Sequence, residues 1–253
     1  MTTTLDLPAR AAKPRITGRT HVLDKGQGLA QTQDLLDVAG GYVDLAKFGW
    51  GTSLVTPNLG DKIAAYRERG IDVCFGGTLF ELYHLQGKFD DYIARMRDLD
   101  VRVVEVSDGT IELEFEAKVA IIERLSREFE VHSEVGSKDA ETIVSPIRWV
   151  RAIKAELEAG ARFVILEGRE SGTAGLYRTS GEIRMGLVDE ILEAGVSPDR
   201  LIFEAPNRAQ QVWLIKQIGA NVNLGNIALA EVIPLETLRL GLRSDTLLHF
   251  HGE

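Results

Sequence analysis

The chain has 253 residues, 44% of them apolar, and a formal net charge of −9 from 38 acidic and 29 basic side chains. That balance offers no clustered basic footprint for nucleic acid and no polybasic membrane patch, and no run of roughly 18 apolar residues suits a membrane span. Any anionic ligand must be held locally, by a few placed Lys or Arg side chains, a divalent metal or backbone N–H groups.

Residues 1–15, with Thr, Ala and Pro and no apolar core of about 7–15 residues such as a signal peptide needs, read as a flexible tail. They precede one domain, 16–253. Short β-branched runs then alternate with helix-period segments, the pattern of parallel α/β folds. The expected strands are Thr20–Leu23, Tyr42–Ala46, Asp72–Phe75, Arg102–Val106, Glu130–Glu134, Arg162–Leu166, Arg200–Glu204 and Ala220–Leu224. Between them, Phe115, Val119, Ile122, Leu125 and Phe129 fall on one helical face, and Ser145-Pro146 marks a helix start. Gly70, Gly160, Gly195 and Gly219 stand where helices should stop in a left-handed residue. The single cysteine, Cys74, lies in the apolar run Ile71–Phe75, so it reads as a core thiol and fits a cytoplasmic protein.

Eight units in a chain of about 250 residues favour a single (β/α)8 TIM barrel over an open doubly wound sheet. The one glycine-rich turn, Gly76-Gly77-Thr78, lacks the spacing of a dinucleotide or Walker loop. Barrel active sites form at strand C-termini, and those places are lopsidedly polar here. Glu105, Glu134, Glu167 and Glu204 each follow apolar residues on strands four to seven, so all four are expected at the barrel mouth. Buried carboxylates need cations. Lys25, Lys47, Lys138 and Arg169 can supply some, and Mg2+, bound through oxygen ligands, the rest. His132 reads as a hydrogen-bonded core histidine, and no Gly-x-Ser-x-Gly elbow is present. Lys138 or Lys47 could be a charged acid, an anion clamp or, with a depressed pKa, a Schiff-base lysine.

At these strand ends the chain resembles the phosphosulfolactate synthase family. The matching segments are Lys47-Phe48-Gly49-Trp50-Gly51-Thr52, Gly76-Gly77-Thr78, Glu105-Val106-Ser107-Asp108-Gly109, Glu134-Val135-Gly136-Ser137-Lys138, Glu167-Gly168-Arg169-Glu170-Ser171-Gly172, Ile202–Pro206 and Asn221–Ile227. The resemblance implies a barrel lyase that adds sulfite to C3 of phosphoenolpyruvate with Mg2+, giving (2R)-O-phospho-3-sulfolactate after protonation at C2. The charge balance adds the expectation of no nucleic-acid or membrane partner, only small anionic substrates. On this reading Glu105, Glu134 and Glu167 hold Mg2+, with Glu204 or Asp108 as a fourth ligand. Lys138 protonates C2, and Lys47 and Arg169 grip sulfite or the substrate carboxylate. Lys25, Ser137, Asn223 and a loop Gly225-Asn226 after strand eight bind substrate, that loop receiving the phosphate.

Two other readings stand beside it. The family includes plant heat-stress-associated relatives, which points to a non-catalytic, chaperone-associated barrel. The fold also suits a lysine-dependent aldolase-type lyase. The apolar stretch from Ile227 to Leu242 suggests a homo-oligomer.

Overall fold

The computed structural model describes residues 4–137 and 144–252. Eight parallel strands run in the order β3-β2-β1-β8-β7-β6-β5-β4. They are β1 (Thr20–Asp24), β2 (Leu45–Phe48), β3 (Asp72–Phe75), β4 (Val103–Val106), β5 (Glu130–Val135), β6 (Phe163–Leu166), β7 (Leu201–Glu204) and β8 (Leu224–Ala228). Around them lie α1 (Leu29–Ala39), α2 (Thr52–Val55), α3 (Leu59–Glu68), α4 (Gly77–Leu85), α5 (Phe89–Asp98), α6 (Phe115–Leu125), α7 (Pro146–Glu158), α8 (Met185–Glu193), α9 (Arg208–Ile218), α10 (Val232–Arg239) and α11 (Ser244–His251). The fold is a (β/α)8 barrel, nearly closed. At the one seam β3 and β4 lie side by side without a hydrogen-bonded ladder. Side chains bridge it instead: Arg102 reaches Asp72 at 3.0 Å at the strand starts, and Gly77 N–H donates to Glu105 Oε1 at 2.5 Å at the strand ends.

Strand alternation decides what faces inward. Val22, Ala46, Phe48, Val73, Phe75, Val104, Val106, Val164, Leu166 and Phe203 point out and pack in the large apolar core under the helices. Leu45, Cys74 and Val103 form one small cluster inside the barrel, and Phe163, Ile165 and Ile202 another. Two residues further along their strands, the next inward positions are Lys47, Glu105, Glu167 and Glu204. Glu134 likewise follows inward-facing His132. The carboxylate rim is thus a consequence of period two on an apolar plug.

Level with the plug, in register with Leu45 and Phe163 respectively, His21 and His132 stack at 5.4 Å, both buried. Burial, then the Arg19 charge, holds the His21 imidazole well below its usual range, and burial also lowers His132. An unfolded histidine titrates near 6.5. Above that pH both states are neutral and the pair is neutral in its effect; as pH falls below about 6.5 the unfolded chain takes up protons first, so stability falls. Melting temperatures between pH 7.5 and 5.5 should drop in the native chain and drop less in His21→Leu. Equal slopes in the two proteins would remove His21 as the cause.

Two strands start three or four residues later than the sequence suggests. Gly40–Tyr42 form a 3-10 turn, so β2 begins at Leu45 and carries Lys47 within it. β8 starts at Leu224 because Asn221 and Asn223 turn their side-chain amides to carbonyls outside β8, Asn221 to Ala9 in the N-terminal segment and Asn223 to Leu201 at the start of β7. Gly225-Asn226 is therefore part of a strand, not a loop after one. The β1–β8 register slips by one residue here, Thr20 pairing with Leu224 but Val22 with Ile227, and Asn226 takes a left-handed φ of 57° in this bulge.

The expected tail is also tied down from its middle onward. Arg10 forms a bidentate pair with Glu236 and donates to Asn221, and buried Arg15 donates to Asp44 at 3.1 Å. These contacts join the segment to both ends of the barrel sequence, which composition alone does not disclose. In the C-terminal stretch, Ile227, Leu229, Val232, Leu235 and Leu238 are buried against the chain's own barrel, with Pro234 in the first turn of α10. Their packing is internal. Gly70, Gly160, Gly195 and Gly219 all have positive φ, as expected of helix stops.

Candidate active site

A cavity of about 450 Å3 opens at the C-terminal ends of the strands. Its polar floor is Lys47, Glu105, Glu134, Glu167 and Glu204, and its wall includes Trp50, Gly76, Gly77, Thr78, Thr110, Arg169 and Asn226. All five floor residues are buried. Lys47 Nζ lies 2.9 Å from Glu204 Oε1 and 3.2 Å from Glu105 Oε2. Burial pulls the ammonium down, but Glu105, Glu204 and Glu134 outweigh it, and Lys47 stays charged with its pKa well above 10.5. A Schiff-base lysine needs the opposite shift. Burial pushes Glu105 up, to about 7, against the pull of Lys47, with Glu134 and Glu204 adding to the rise.

Backbone donors complete the floor. Gly168 N–H donates to Glu204 Oε2 at 2.9 Å, and Arg169 N–H to Glu167 Oε1 at 2.5 Å, with Arg169 held at φ 56°. The Gly77 amide can reach Glu105 because the residue has no side chain: a Cβ there would overlap Ser107 and stand 3.0 Å from Glu134 Oε2 and 3.1 Å from Glu105 Oε1. Gly77 is thus required by crowding of the floor itself.

The family model for (2R)-phospho-3-sulfolactate synthase matches residues 8–245. A phosphosulfolactate synthase of Bacillus subtilis is 46% identical over 96% of this chain and 97% of its own, and one of Methanothermobacter thermautotrophicus is 44% identical over 95% of each. The chain belongs to the phosphosulfolactate synthase family. Solved barrels share only the fold. They include the YdjI aldolase of Escherichia coli K12 (TM-score 0.57, 11% identical, 88% of this chain and 86% of that one). Another is 3-hexulose-6-phosphate synthase of Salmonella typhimurium (TM-score 0.53, 13% identical, 87% and 98%).

Within this phosphosulfolactate synthase family site, the metal-ligand candidates are regrouped. Glu134, Glu167 and Glu204 each offer one oxygen, all within 4.8 Å of one another, whereas Glu105 is turned to Gly77 and Lys47. Three buried carboxylates facing one buried ammonium suit a hard divalent cation, and an all-oxygen donor set suits Mg2+ rather than zinc. Asp108 does not join them. It pairs with Lys118 at 2.8 Å and stands outside the cavity lining.

Other expectations divide similarly. Arg169 lines the cavity as an exposed wall residue, and Lys25 sits at the rim, 3.6 Å from Glu170, itself a wall residue. Asn223 precedes β8, at the opposite end of the barrel from the cavity, and Gly225, though buried in β8, does not line it. Asn226 does: the bulge buries the residue, and its Oδ1 has no hydrogen-bond partner among the described residues. Ser137 is half-buried and outside the lining, and Lys138 lies outside the described residues. Sequence reading missed Thr110 and the support from buried Glu81, whose Oε1 accepts Ser107 Oγ at 2.9 Å and Thr110 N–H at 3.0 Å.

Among the described residues no helix is long and apolar enough to cross a membrane.

Proposed function

We propose that this chain is an active phosphosulfolactate synthase that joins sulfite to C3 of phosphoenolpyruvate and requires Mg2+. The observation that carries this reading is the triad Glu134, Glu167 and Glu204 beside the Lys47 ammonium, on the floor of a cavity in a chain of this family. The same floor argues for catalysis over a chaperone-like role, since buried like charges are costly to keep without a task for them.

The reaction forms a C3–S bond from the sulfite lone pair, shifts the C2=C3 electron pair toward the carboxylate and ends with a proton at C2. Mg2+, held by Glu134, Glu167 and Glu204, would supply positive charge opposite the negative charge that develops on that carboxylate. Lys47 provides a fixed ammonium at the floor, desolvated and aimed, where it offsets repulsion between two anions. Arg169 at the wall and Lys25 at the rim draw anions toward the mouth. Asn226 offers an uncharged amide to a substrate oxygen, replacing the backbone role expected of a loop. Lys138, which follows β5 by three residues in sequence, is assigned as the acid for C2.

The test is formation of a phosphorylated sulfonate from phosphoenolpyruvate, sulfite and Mg2+, followed by 31P NMR. Native protein should give a single product and lose turnover in EDTA. Lys138→Met should lower kcat on the order of 100-fold or more, the usual contribution of a placed acid. Turnover near the native rate in that variant removes Lys138 from the role, and no product from the native chain rejects the reading as a whole.

A further inference from the structure

Helix α6 carries a charge on the face that packs. Lys118 sits three residues after Phe115 and four before Ile122, in the apolar stripe, and is only 4% exposed. A lysine so placed must satisfy all three ammonium donors inside the protein. It does so with acceptors on three different pieces of the fold. Nζ donates to the main-chain carbonyl of Glu134 in β5 at 2.6 Å and to Asp108 Oδ1 in the loop after β4 at 2.8 Å, and it lies 2.9 Å from Glu156 Oε1 on α7.

Two of those pieces face the cavity. Glu134 is one of the three clustered carboxylates, and Thr110, two residues beyond Asp108, is part of the wall. Glu81 holds the same loop from α4 through Ser107 and Thr110. The loop is therefore fixed from both sides by buried charged groups that touch no cavity surface themselves. Carboxylates that share a small cation must be held to within a fraction of an ångström, and the groups behind them set that precision.

We propose that Lys118 is a positioning residue, which sets Glu134 and the 107–110 loop for divalent-cation binding by gripping the Glu134 carbonyl, Asp108 and Glu156 at once. This rests on the Mg2+ reading of the floor. Asp108, expected as a ligand, acts instead as one end of this strut.

Lys118→Met alone would leave buried Glu156 facing Asp108 without its ammonium, so the informative protein is the charge-compensated Lys118→Met/Glu156→Gln. Mg2+ is titrated into native and variant protein by calorimetry, without substrate, and unfolding is followed in parallel. The expected result is a cooperatively folded variant that binds Mg2+ at least tenfold more weakly, with kcat reduced more than KM for phosphoenolpyruvate changes. Equal Mg2+ affinity in the folded variant overturns the proposal. Should the double variant fail to fold, Lys118→Arg keeps the charge but not the three-way geometry, and should weaken Mg2+ binding about threefold or more; native affinity there overturns it equally. A native chain that takes up no Mg2+ sinks both this proposal and the metal reading, whereas Mg2+ uptake without product sinks the synthase reading alone.

Discussion

Lys47→Met is expected to lower turnover on the order of 100- to 1,000-fold and to lower stability by about 3–5 kcal/mol. Both effects have one origin. Lys47 is the ammonium between Glu204 at 2.9 Å and Glu105 at 3.2 Å, both buried, and removing one partner of a buried pair strands the other's charge. For a chain of this size each kcal/mol is worth roughly 2–4 °C in Tm, so a fall of roughly 6 °C or more is expected by calorimetry. Adding Glu105→Gln should separate the two effects. With one stranded carboxylate neutralised, part of the Tm returns; turnover stays low because the fixed positive charge is still missing. A Lys47→Met protein that melts and turns over like the native chain would show that the ion pair neither supports the floor nor serves the reaction.

The floor was legible in the sequence because it depends on only two local rules. Glu105, Glu167 and Glu204 directly follow apolar residues and Glu134 follows Val131-His132-Ser133, and period two then puts each above an inward-facing residue of the same strand. Nothing long-range is needed to place them. Where the sequence misleads, a distant partner decides. β8 is displaced by four residues from its expected start because Asn221 and Asn223 bond to Ala9 and Leu201. Arg10 and Arg15 look like tail residues until Glu236 and Asp44 are brought to them by the closed barrel. Asp108 has the composition and position of a ligand, and only the fold shows that Lys118 claims it. One signal for Lys118 was present: a lysine in register with Phe115, Ile122 and Leu125 on a packing face must be buried against acceptors.

The proposed reaction asks a chain of net charge −9 to hold two anions. Three placed cations serve it. Lys47 lies at the floor, Arg169 on the wall and Lys25 at the rim, a graded path from solvent inward. The carboxylates between them oppose that path far less if a divalent cation sits among them, because the cation and the Lys47 ammonium together balance the charge of the three carboxylates.

That dependence gives Glu167→Gln an effect of opposite sign with and without metal. The substitution keeps the shape and an oxygen acceptor for the Arg169 amide, but removes one of three negative charges within 4.8 Å of each other. In EDTA the variant should therefore melt at a higher temperature than the native chain, since clustered like charges repel in the empty floor. In Mg2+ the order should reverse. A ligand at 100 times its Kd stabilises by about 2.7 kcal/mol, and a variant that binds on the order of 100-fold more weakly gains only a few tenths at the same concentration. Turnover should fall with the loss of bound metal and recover partly at high Mg2+. Thermal melts of both proteins across an Mg2+ series measure the crossing directly. If Mg2+ raises the variant's Tm as far as the native chain's, Glu167 is not a ligand and the floor holds its charges by another means.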